Sequence, residues 1–176
     1  MNQKVMDLRE TDEKFMRAAL KEAETALEAG EFPVGCVIAG QAEIVAAGER
    51  RCSRGQKVNE IDHAEIAAIK SLYDSGFSGN PGGLTLYSTM EPCLMCFGAI
   101  LIAGIRRIVY GYEDVMGGGT KCILENLPPL YKEAEIRIVP HVLRNESRRL
   151  FYRFFSDPQN TYLQGTLLAE YTLWLK

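Results

Sequence analysis

Apolar residues recur at helical spacing between Thr11 and Ala29, at Phe15, Met16, Leu20, Ala23 and Leu27, and Gly30 follows where a C-terminal cap belongs. The pattern then shortens to that of strands. "VGCVIAG" and "IVAAG" predict a β-hairpin turning near Gly40-Gln41. "HAEIAAIKSLYDSG" predicts a helix ending near Gly76, and "SGFSGNPGG" has the composition of a loop. "LTLYST" predicts a strand, "CLMCFGAILIAG" a helix from Cys93 to Gly104, and "RRIVYG" the next strand. Three consecutive glycines in "VMGGGT" predict flexible backbone, since no regular element carries them cheaply. A short helix is expected from about Cys122 to Tyr131, a strand at "EIRIVP", a helix from about Arg144 to Phe155, and a C-terminal helix from about Thr161.

Strand and helix alternate, which predicts an α/β layered sheet. The connection from "RIVYG" to "EIRIVP" is long enough for a crossover and so favours a parallel pair. The 176 residues contain no repeat, low-complexity tract or linker, and read as one domain over 1–176 with a helical tail from about 156.

Composition narrows the class. Hydrophobic content of 47% and charged content of 24% fit a globular chain and exclude a disordered one. No apolar run approaches the ~20 residues of a membrane span, and "MNQKVMDLRETDEKF" has no apolar signal region. Five cysteines without an export signal read as reduced thiols in the cytoplasm. Cys36, Cys52 and Cys122 read as small buried hydrophobes. A net charge of −3 argues against extensive phosphate contact.

The candidate chemistry starts at "STMEPCLMCFGAI", where Cys93 and Cys96 follow Pro92 at a helix start. Such a pair can be a redox dithiol, half of a structural zinc knot, or part of a catalytic metal site. A four-ligand knot needs a second pair at knot-like spacing, and the scattered Cys36, Cys52 and Cys122 do not supply one. Upstream, "DHAEI" places His63 and Glu65 at another helix start. His-x-Glu followed by Pro-Cys-x-x-Cys is the established signature of zinc nucleobase deaminases. Three protein ligands, His63, Cys93 and Cys96, leave the fourth zinc position open for water, which marks a catalytic site. Two thiolates make the zinc a mild Lewis acid, so a nearby base is needed, and Glu65 is that base and not a fourth ligand. Residues two apart on a helix do not share a face, so His63 must lie at the helix boundary for both side chains to reach the metal.

With these motifs the chain resembles the cytidine-deaminase-like zinc deaminases, in the branch holding tRNA-adenosine, guanine and fungal-type cytosine deaminases. The resemblance runs from "FPVGCVIAG" through "DHAEIAAI" and "LYSTMEPCLMCFGAI" to "RRIVYGYED", roughly Phe32 to Asp114. It implies a three-layer α/β/α sandwich with a five-stranded mixed sheet, a homodimer, and one zinc per chain. It also implies hydrolytic deamination, in which water activated at zinc attacks the amine-bearing ring carbon. Glu65 would carry a proton to the ring nitrogen and then to departing ammonia.

Members of that branch contact substrate through an asparagine two residues after the glycine that ends the second strand. Here that position is Arg50, either a substrate contact or a solvated loop arginine, and Asn59 is the other candidate for the missing amide. Asp114 is either a substrate contact or a turn-forming aspartate, and Phe32 either a pocket wall or core. A tRNA partner needs a basic surface. Arg144, Arg148, Arg149 and Arg153 partly share a helix stripe, but a solvated face explains such a stripe more often, and after Ser156 only Lys176 is basic. The expected substrate is therefore a free nucleobase or nucleoside with a cytosine- or guanine-like amine, with a tRNA-specific adenosine deaminase as the alternative. A silent, deaminase-shaped partner subunit should lack the glutamate, and Glu65 is present. Leu163, Leu167, Tyr171 and Trp174 fall at helical spacing in the tail and are expected to pack into the core, with a dimer contact or a lid as alternatives.

Overall fold

A computed structural model describes residues 3–54 and 58–175. Helix α1 spans Gln3–Glu28, and strands β1 (Gly35–Ala39) and β2 (Ile44–Glu49) form the hairpin, with Gly40 N–H donating to the Glu43 carbonyl at its turn. There follow α2 (Ala64–Asp74), β3 (Thr85–Met90), α3 (Leu94–Ile102), β4 (Arg107–Tyr112), the one-turn helix α4 (Pro129–Lys132), β5 (Arg137–Val139), α5 (Arg144–Ser156) and α6 (Leu167–Trp174). The sheet order is β2-β1-β3-β4-β5. β1 is antiparallel to both β2 and β3, whereas β3, β4 and β5 are mutually parallel, as the long connection into β5 anticipates.

Strand alternation puts helices on both faces. Val37, Tyr87 and Val109 pack against Phe15, Met16 and Ala19 of α1. Cys36, Ile38, Leu86 and Ile108 point the other way, into a cluster with Ala68 and Leu72 of α2 and Phe97 and Ile100 of α3. Arg107 locks α1 to the first face: its Nη1 and Nη2 donate to Asp12 Oδ1 and Oδ2 at 2.8 and 2.7 Å, and Tyr87 donates to the same carboxylate at 3.1 Å. On the second face, a Cβ at Gly48 would stand 2.5 Å from both Ala64 O and Ala68 N. Glycine there lets the start of α2 lie directly on β2, which fixes where His63 and Glu65 emerge.

Three elements differ from the sequence expectation. α1 begins at Gln3, ahead of the apolar pattern. The expected helix over 122–131 is a 3₁₀ turn at Leu124–Asn126 and the separate α4, because Pro128 and Pro129 have no N–H to continue a helix. The last helix begins at Leu167, not near Thr161. Leu163 and Gly165 hold left-handed φ of 56° and 70°, and Thr166 caps α6 by accepting from Ala169 N. The expected apolar stripe therefore breaks. Leu163 precedes the helix, Leu168, Ala169 and Thr172 form the buried side, and Trp174 is 81% exposed. No helix among the described residues is long and apolar enough to cross a membrane.

Candidate active site

The site is built from two helix starts, that of α2, which follows β2 in the chain and packs on β2 and β1, and that of α3, which follows β3. His63 is the N-cap of α2 with extended backbone (φ −69°, ψ 155°), and Glu65 lies in the first turn. That change of backbone direction at the boundary lets side chains two apart converge. Cys93 is likewise the N-cap of α3, with Cys96 one turn on. His63 Nδ1 lies 3.6 Å from Cys93 Sγ and 3.5 Å from Cys96 Sγ. In a tetrahedral zinc site, bonds of about 2.0 Å to nitrogen and 2.3 Å to sulfur space those atoms roughly 3.5 Å apart. The donor set and its spacing thus fit one zinc. Among the described residues it is the one group of three or more potential ligands close enough to share an ion, and Cys36, Cys52 and Cys122 stand outside it. All five cysteines are free thiols.

The electrostatics favour a cation. Both helices aim the positive ends of their dipoles at the cluster, which supports thiolate sulfur. The Cys93 thiol is held down to about 4, first by its hydrogen bond with Cys96 and, against the effect of burial, by His63. Cys96 is pushed far up by the same bond, by burial and by Glu65. A divalent ion binds such sulfurs as thiolates and displaces any proton they hold. His63 is raised by its bond to Cys93. Glu65 is 3% exposed. Burial raises its pKa, with His63 and Ser88 opposing. Ser88 Oγ donates to Glu65 Oε1 at 2.8 Å, and Oε2 lies 3.6 Å from Cys96 Sγ.

His63, Glu65 and Cys93 line a cleft of about 240 Å³, with Cys96 and Ser88 buried behind them. Phe32, Val34, Met90, Leu163 and Leu168 supply its apolar walls, and Arg50, Glu60, Glu91, Asp114 and Tyr162 its polar rim. A larger groove of about 1020 Å³, between Leu27, Arg54, Arg153 and Gln159, is lined by none of the four motif residues.

The four candidate substrate contacts fall differently. Arg50 is 2% exposed, so the solvated-loop alternative fails. It lines the cleft, but its Nη1 donates to the carbonyls of Asn59 and Asp62 at 2.7 and 2.9 Å, and its Nη2 to Glu60 Oε2 at 3.0 Å. Asn59 does not line the cleft; its side chain donates to Asp62 Oδ2 at 2.6 Å and accepts from Ile61 N at 2.9 Å, shaping the loop that delivers His63. Asp114 lines the cleft while its Oδ1 accepts from Met116 N and Gly117 N, each at 2.9 Å, as a turn-former does. Phe32 is both wall and core: it lines the cleft and packs on Phe151, Phe154 and Phe155.

Sequence reasoning passed over Ser88, Glu60, Tyr162 and Glu91. Glu91 stands directly before Pro92 of the motif, and that adjacency was its available signal. Its carboxylate accepts from the Asp114 N–H at 3.2 Å and the Thr120 hydroxyl at 2.5 Å, tying the loop after β4 to the metal corner. The triple glycine in that loop serves close approach, not flexibility. A Cβ at Gly118 would meet the Glu91 carboxyl at 2.6 Å, and one at Gly119 would meet Leu94 N at 2.6 Å. The basic stripe of α5 is divided: Arg144 binds Glu113 and Arg148 binds the Leu175 carbonyl, which leaves Arg149 and Arg153 exposed.

The profile of the cytidine and deoxycytidylate deaminase zinc-binding region matches residues 9–112. The chain belongs to this deaminase family. It is 32% identical to the tRNA-specific adenosine deaminase of Bacillus subtilis (strain 168) over 146 residues, 83% of this chain and 89% of the relative. A solved structure from work on A-to-I editing by tRNA:A34 deaminases superimposes with a TM-score of 0.61 at 31% identity, covering 78% of this chain and 98% of the other. Guanine deaminase from Nitrosomonas europaea shares the fold, with a TM-score of 0.64 at 20% identity over 81% of this chain and 83% of its own.

Proposed function

We propose that the protein is a zinc-dependent hydrolytic deaminase of adenosine in tRNA. The observation that carries the chemistry is the meeting of one buried carboxylate, Glu65, with three metal-ligand atoms beside a cleft of about 240 Å³ that Glu65, His63 and Cys93 line. Zinc held by the His63 nitrogen and the two sulfurs supplies a Lewis acid that makes water acidic near neutral pH. Glu65 takes the proton that the attacking water gives up, and its burial, which raises its pKa, favours the protonated form. It passes that proton to the ring nitrogen beside the amine-bearing carbon, then takes the second water proton from the hydroxyl now on that carbon and delivers it to the amine. The C–N bond breaks, ammonia leaves and the carbonyl remains. Ser88 fixes Oε1; a Cys96 thiolate has no proton to give, so Oε2 is free for this transfer. Phe32, Met90 and Leu168 keep bulk water from the ring.

The substrate half of the reading is supported by the relatives, which match four-fifths of the chain under the name of tRNA-specific adenosine deaminase. They outweigh the expectation from net charge, because a small cleft that takes one base out of a strand senses little of the overall charge. A second reading, a free nucleobase or nucleoside, has its own observation. Arg50 is the one Lys or Arg lining the cleft, both its amino groups are engaged by protein acceptors, and the acidic Glu60, Glu91 and Asp114 line the same cleft. A homodimer is supported by α3, which turns Leu94, Gly98 and Ile102 to the outside at successive helical turns, Leu94 and Ile102 being 64% and 65% exposed.

The deciding experiment is ammonia release by the zinc-loaded chain from adenine, cytosine, guanine, their nucleosides and an adenosine-bearing anticodon stem-loop. Turnover of the stem-loop with inert small molecules supports the first reading, and the reverse installs the second. A Glu65→Ala chain that keeps both zinc and turnover overturns the mechanism.

A further inference from the structure

The outer wall of the cleft is made by a segment that no motif marks. After α5 the chain turns back at Asp157–Asn160, and Tyr162, Leu163 and Leu168 come to line the cleft opposite the motif residues. Tyr162 is tied into place across more than a hundred residues. Its hydroxyl donates to Glu60 Oε2 at 2.7 Å, and Arg50 Nη2 reaches the same carboxylate oxygen at 3.0 Å and the tyrosine oxygen at 3.4 Å. The Tyr162 ring sits edge-on to Phe32 with centroids 5.5 Å apart. The other amino group of Arg50 holds the carbonyls of Asn59 and Asp62, just before His63. One buried guanidinium therefore grips both the loop that delivers a metal ligand and the aromatic residue facing it.

We infer that Tyr162 is a specificity-determining wall of the cleft, and that the Arg50–Glu60 pair is the positioning device that holds it. An aromatic face fixed by its hydroxyl loses little on binding and offers a stacking surface to any flat heterocycle. Its fixed position also sets how wide a ring system the cleft admits. This rests on reading the cleft as the base-binding site.

The test compares the zinc-loaded wild-type chain with Tyr162→Ala, Tyr162→Phe and Leu163→Ala, measuring zinc content, kcat and KM across the bases, the nucleosides and the anticodon stem-loop, and calorimetric binding of the product bases hypoxanthine, uracil and xanthine. Tyr162→Ala is expected to keep its zinc, to raise KM and product Kd roughly ten- to a hundred-fold with kcat within about three-fold, and to flatten the preference between purines and pyrimidines. Tyr162→Phe, which keeps the ring, should recover most of that loss. Leu163→Ala probes the same wall if the alanine at 162 prevents folding. Unchanged KM, Kd and substrate ranking in Tyr162→Ala and Leu163→Ala overturn the inference, as does a fall in kcat alone. If no panel member is turned over but a base binds and the substitutions weaken it, the wall stands and the proposed reaction fails. A wild-type chain that neither binds any of the bases nor turns over the stem-loop overturns both.

Discussion

The metal corner and the tail-side rim face each other across one cleft, yet they are built in opposite ways. At the corner, His63, Glu65, Cys93 and Cys96 all lie within a turn of two helix starts, so a few adjacent positions specify each half. At the rim, Arg50 and Glu60 meet Tyr162 over sequence separations of 112 and 102 residues, and only the reversal of the chain after α5 brings them together. Short-range geometry assembles the candidate metal ligands, and long-range packing assembles the other side of the cleft.

The sharpest break of this comparison is removal of the metal. Cys96→Ala, or treatment with a chelator, should abolish zinc binding and all measurable turnover, and lower Tm, read by metal analysis, ammonia release and calorimetry. Activity in the metal-free chain would separate the corner from the chemistry. Glu65→Gln comes next. Zinc should stay at one per chain while kcat falls roughly 10²- to 10⁴-fold, the range of a positioned acid–base group.

Arg50→Ala moves to the rim. It strands the Asn59 and Asp62 carbonyls and the Tyr162–Glu60 bond beside a hole left by a side chain that is 2% exposed. Because Glu60 is itself more than half exposed, the expected cost is nearer about 2–3 kcal/mol than that of a fully buried pair. Denaturant unfolding reads it. Zinc content that survives the substitution keeps corner and rim independent; zinc lost with it joins them.

The smallest effect concerns the far end of the tail. Burial pushes the Glu113 carboxyl up, but bonds from Arg144 and Tyr171 overcome this and bring it down to about 2. A lowered carboxylate stabilises the fold above its unfolded pKa of about 4.3 and loses that contribution as pH falls toward 2. Glu113→Gln should therefore lower Tm by a few degrees at pH 7, about 1–2 kcal/mol, and the gap from wild type should close by about pH 2. A gap that persists in acid would assign the loss to packing.

The same contrast explains what was legible in the sequence. The helix and strand periods predicted all five strands and the parallel β4–β5 pair, because those patterns are local. His63, Glu65, Cys93 and Cys96 could be read because helix starts have a fixed geometry. Arg50 could not be assigned from its position: nothing nearby says that its guanidinium is spent on Asn59, Asp62, Glu60 and a tyrosine over a hundred residues away. The tail misled for a related reason. Leu163, Leu167, Tyr171 and Trp174 have helical spacing, but the left-handed residues at 163 and 165 delay the helix and rotate its buried side to Leu168, Ala169 and Thr172. At Gly118 and Gly119 the sequence suggests flexibility because part of what excludes a side chain there, Glu91 and the start of α3, is more than twenty residues away in sequence.

Those glycines bear on how the protein could be re-engineered. Any side chain at Gly118 or Gly119 meets either the Glu91 carboxyl or the backbone beside Cys93, so a mutant library over the loop would return mostly dead clones. The tail positions 162, 163 and 168 border the same cleft without touching the ligand cluster through their backbone. Diversity introduced at those positions would fall on the wall inferred to select the substrate and would leave the ligand residues themselves unchanged.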